Sequence, residues 1–144
     1  MGYTFTCDNV VVLNLSNKIW EDFKVIISIA CINFLKQTGQ LLNVEEDIER
    51  FFILQFYNIN LLSHAHLYFF SNHIDALTIA GLIGVYYLLH NKTQYSFTEC
   101  ENISSSIVIL LPHISTTIAL SETIHKVKSL FDSNIHKNGS IHIY

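Results

Sequence analysis

The sequence predicts an α+β fold: four or five helices around a near-uncharged central helix at about residues 73–90, with a small sheet from an N-terminal hairpin and a C-terminal strand. Three observations lead there. From Phe51 to Asn91 the only formally charged residue is Asp75, and a helix that is apolar nearly all round belongs inside a core. Tyr3 to Thr6 and Val10 to Leu15 are β-prone runs on either side of Asp8-Asn9, which is hairpin punctuation. Asn138-Gly139, a strong two-residue hairpin signal, leads into Ser140 to Tyr144, where Ile141 and Ile143 alternate with His142.

Composition sets the bounds. Of 144 residues, half are hydrophobic and 14% are charged, against about 25% charged in ordinary soluble domains. That is ample material for one core over 1–144, a length typical of one domain, and it excludes disordered and low-complexity classes. So low a charge raises the question of membrane insertion, which needs about 20 predominantly apolar residues. The run 51–70 contains Gln55, Asn58, Asn60, Ser63, His64 and His66, and the run 102–121 contains five serines, two threonines, His113 and Pro112. Ala76 to Leu89 offers only 14 uninterrupted residues. No membrane span is expected, and the sequence does not open with the basic and apolar regions of a signal peptide. Cys7, Cys31 and Cys100 are an odd number without metal-ligand spacing, which suits reduced thiols in a cytoplasmic protein.

After the hairpin, Ser16 is a good N-cap for a helix over 17–38, where Ile19, Trp20, Phe23, Ile26, Ile27, Ala30 and Phe34 recur every three or four residues. Gly39 supplies its stop. Asn43 and Glu46 stand in capping-box spacing ahead of Val44, Ile48, Phe51 and Phe52, predicting a helix from 44 to about 57. Residues 58–70 are ambiguous, with helix favoured. Asn72 is the expected cap of the central helix, with Asp75 in its first turn. Ala76, Ala80 and Gly84 form a stripe of small residues on that helix, where another backbone can approach closely; Gly81 and Gly84 each cost about 1 kcal/mol in helix propensity, which close packing would offset. Thr93 to Phe97 reads as a strand, and Ile107 to Leu111 as a buried strand or the end of a helix stopped by Pro112. Leu120, Ile124, Val127 and Phe131 mark a last amphipathic helix.

A net charge of −4 and a single arginine, Arg50, argue against nucleic-acid binding, which normally shows a basic footprint. No nucleophile elbow, phosphate-cradling loop or cofactor motif is present, and no cofactor is expected. The adjacent acids Glu21-Asp22 and Glu45-Glu46 are expected in first helical turns, where the macrodipole favours them. His64 and His66 share one face if that stretch is a strand, but no third ligand stands at a recognisable spacing. The one local charge concentration is Glu45, Glu46, Asp47 and Glu49, four of the twelve acids. It fits a solvated helix start, or an acidic surface that steers a basic partner.

The function expected from these features is that of a small cytoplasmic interaction protein. Its concrete form is an immunity or antitoxin-type inhibitor that neutralises a basic toxin domain, such as a nuclease, through Glu45, Glu46, Asp47 and Glu49. Two other classes remain open: a virus-encoded, all-helical regulator that binds an amphipathic host helix, and a small metal-dependent enzyme that uses His64 and His66.

Overall fold

In the computed structural model, β1 (Gly2–Cys7) and β2 (Val10–Ser16) pair antiparallel with Cys7 opposite Val10. Two residues therefore turn the chain, and Asp8 takes a φ of 52°, a left-handed conformation that Asp tolerates better than most residues. The structure describes residues 2–8, 10–39, 67, 69–90, 93–114, 118–137 and 140–144. Helix α1 (Asn17–Gln37) starts where expected, because the Ser16 hydroxyl accepts the Ile19 N–H at 3.2 Å. It stops at Gly39, whose φ of 72° and N–H bond to the Lys36 carbonyl at 3.1 Å close the last turn. The helix expected over 44–57 lies outside the described residues, as does most of 58–70; Leu67 and 69–71 are helical.

The central helix expected over 73–90 is two helices, α2 (Ile74–Ile79) and α3 (Ile83–Leu89). Gly81 separates them with a φ of 75°. Its N–H bonds the Thr78 carbonyl while the Leu82 N–H reaches back to Leu77 at 2.8 Å, the paired bonds of a Schellman stop. Nor does Asn72 cap α2: the cap position is His73, without a side-chain bond to the helix. The stripe of small residues does bring a backbone close, since a Cβ built on Gly84 would lie 2.2 Å from the carbonyl oxygen of Asn102.

The strand expected at Thr93 to Phe97 is only β3 (Gln94–Tyr95). It ends early because Ser96 caps α4 (Phe97–Leu110): the Ser96 hydroxyl accepts the Glu99 N–H at 3.3 Å, and the Glu99 carboxylate accepts the Ser96 N–H at 3.1 Å. This capping box satisfies two backbone donors reciprocally. Ser96→Ala is expected to lower stability by about 1 kcal/mol, measured as an earlier urea midpoint at unchanged denaturant slope. Ile107 to Leu110 proves to be the end of α4, followed by a 3-10 turn at Leu111–His113 that contains Pro112.

Helix α5 (Ile118–Lys137) buries Ile124, Val127, Leu130 and Phe131. Asn138-Gly139 lies outside the described residues; α5 ends at Lys137, and the expected C-terminal strand is β4 (Ile141–Ile143). β4 lies between β1 and β3, giving one antiparallel sheet in the order β2-β1-β4-β3. One apolar cluster joins sheet and helices. Trp20 stacks on Phe23 at 5.6 Å and meets the edge of Phe5 at 5.0 Å, and Tyr95 meets Phe131 at 5.6 Å. Among the described residues, no helix is long and apolar enough to cross a membrane.

Candidate functional site

The free side of β2 is built by the sequence VVVLNLS, in which no residue is charged. β2 pairs only with β1 among the described strands, so its other side is a sheet edge. Phe5 stands opposite Leu13 and Thr6 opposite Val11, which leaves Val12 as an extra residue. Such a bulge interrupts the alternation that would turn every second side chain inward. Val10, Val11 and Val12 are accordingly 61%, 54% and 43% exposed, three consecutive valines in water. Beside them, a groove of about 720 Å³ separates β2 from α5, with Val11, Val12 and Leu13 on one wall and His125, Lys126 and Ser129 on the other. Open edges are usually shielded by charge, proline or a covering element. Here the bulge is the only such device within the strand, and the groove keeps α5 from closing over it.

Among the described residues, several charged groups are engaged in local structure. Glu21 and Asp22 do not act as a pair, and neither stands in the first turn of α1. Glu21 is buried and bonds Lys24 at 3.0 Å, while Asp22 bonds the exposed Lys18 at 3.1 Å. Their different cations follow from helical spacing, since adjacent residues project about 100° apart. Between α4 and α5, Ser104 donates to one Asp132 oxygen and Lys128 to the other at 2.6 Å. All three cysteines are buried, and burial pushes the Cys31 thiol up, away from the reactive thiolate.

Glu45, Glu46, Asp47 and Glu49 lie outside the described residues, as do His64 and His66. Among the described residues, no three of His, Cys, Asp and Glu converge as a metal site would require. Family models, curated proteins and solved structures offer no match to this chain. β2 lies where its β-branched run predicts, and its exposure also had a signal, since three valines in succession depart from the alternation of a half-buried strand.

Proposed function

We propose that this protein acts by binding another protein, in the manner of a cytoplasmic immunity or antitoxin-type inhibitor, and that its partner is a basic toxin domain such as a nuclease. The observation that carries the proposal is the exposed, uncharged β2 edge with the groove beside it. An extended segment of the partner would add to this edge through main-chain hydrogen bonds, with its side chains in the groove. Charge favours a basic partner overall: the chain has a net charge of −4, and Glu45, Glu46, Asp47 and Glu49 supply a third of its acids. Such charge mainly accelerates and selects the encounter, while the apolar edge holds the complex. The all-helical regulator loses its premise to the four-stranded sheet.

The test is copurification with a catalytically silenced basic nuclease domain encoded beside this gene. Val11→Lys with Val12→Lys is expected to weaken the complex at least about tenfold, mostly through faster dissociation. Reversal of Glu45, Glu46 and Asp47 to lysine should instead slow association and reduce its salt dependence. No complex with such a domain would refute the toxin partner. A complex indifferent to both valine changes would remove β2 from the interface.

A further inference from the structure

A second cleft, of about 320 Å³, opens where the inner face of the sheet meets α1 and the end of α3. Tyr3, Trp20, Leu88 and Ile143 give it apolar walls, Thr93 stands at its rim, and Lys24 reaches it from α1. It shares no lining residue with the groove beside β2. Lys24 is what makes the cleft unusual. Its side chain is only 4% exposed, and among the described residues its one hydrogen-bonding partner is Glu21, with the Trp20 ring centroid 5.8 Å away. An ammonium has three donor hydrogens, so two lie in a buried setting where unmet donors are costly.

The charge of the ligand follows from the same pair. Lys24 is already paired with Glu21, so an anion in the cleft would compete with that carboxylate for the ammonium, and a cation would be repelled by it. Burial and the nearby Glu21 charge both push the Tyr3 phenol above its ordinary value, keeping its O–H as a further donor. Lys24, paired in charge with Glu21, together with the Tyr3 phenol and the His90 ring that also lines the cleft, suits an uncharged acceptor. Apolar walls with a few placed polar groups, at a volume near the lower end of about 300–1,000 Å³, are the usual form of a small-molecule site.

We propose that this cleft binds a small uncharged ring compound bearing a carbonyl or hydroxyl oxygen, with the ring packed on Tyr3, Leu88 and Ile143 and the oxygen accepting from Lys24. This is a second binding function, independent of the β2 edge.

Trp20 is the only tryptophan and lines the cleft, so its fluorescence reports occupancy in the full chain. Benzamide, uncharged with a carbonyl acceptor, is the probe; toluene lacks the acceptor and benzoate adds a negative charge. The expected result is a saturable change with benzamide. Toluene, benzoate and benzamide on the Glu21→Gln/Lys24→Met variant should each bind at least about tenfold more weakly, the factor carried by a charge-assisted hydrogen bond. No saturable change with benzamide up to its solubility limit overturns the proposal. So does equal affinity in a double variant whose circular dichroism matches the parent, or tighter binding of benzoate. If the double variant does not fold, Thr93→Tyr fills the mouth without touching the ion pair: loss of benzamide binding supports the site, and retained affinity overturns it.

Discussion

Lys24→Met is expected to destabilise the protein by about 3–5 kcal/mol, because it removes the buried cation that bonds the Glu21 carboxylate. The two side chains are 4% and 11% exposed and bond at 3.0 Å within one turn of α1. Glu21→Gln should cost nearly as much, leaving the ammonium unpaired beside Trp20. The double variant Glu21→Gln/Lys24→Met should recover most of the loss, because neither charge remains to be buried. Urea denaturation of the four proteins closes this cycle. Additive single losses, with a double variant at their sum, would show that the pair does not act as a unit.

Gly84→Ala is expected to cost about 3 kcal/mol or more, at the upper end for an overpacked core. The new methyl would lie 2.2 Å from the Asn102 oxygen, 2.4 Å from its carbonyl carbon and 2.6 Å from the Ile103 Cα. All three are backbone atoms of α4, so no side chain can swing away; α3 and α4 would have to separate. Gly39→Ala is the control. Its Cβ meets nothing within 4 Å, but φ is 72°, so only the left-handed backbone opposes it, at about 1–2 kcal/mol. Thermal denaturation should rank Gly84→Ala well below Gly39→Ala. Equal losses would mean that conformation, and not the helix crossing, governs both.

The features legible in the sequence were those decided locally. Ser16 and Gly39 bound α1 through bonds to residues three positions away, and the hairpin follows from two β-prone runs with a short turn between them. Gly84 was also readable, because small residues four apart leave a backbone uncovered. The break at Gly81 was not: hydrophobic periodicity continues across it, and only the left-handed φ reveals the stop. The strand expected at Thr93 to Phe97 exceeds β3 because β propensity does not register a capping box beginning at Ser96. Lys24 stands four residues from Trp20 and three from Ile27, on the buried face of α1, so its burial had a signal in the helical period. Its pairing with Glu21 needed the fold, since exposed pairs at the same spacing are common.

β4 has three residues, yet among the described strands it supplies the neighbour on one side of β1 and the only partner of β3. Phe5 pairs with Ile143 across nearly the whole length of the chain. At about 5–20 residues per second, translation leaves roughly 7–30 s between the synthesis of those two partners. Throughout that interval β1 has an open side, and with the free side of β2 the nascent hairpin offers two edges to other chains. Completion of the sheet is thus set by the order of synthesis as much as by the strength of the pairing: a strand made late seals one made at the start.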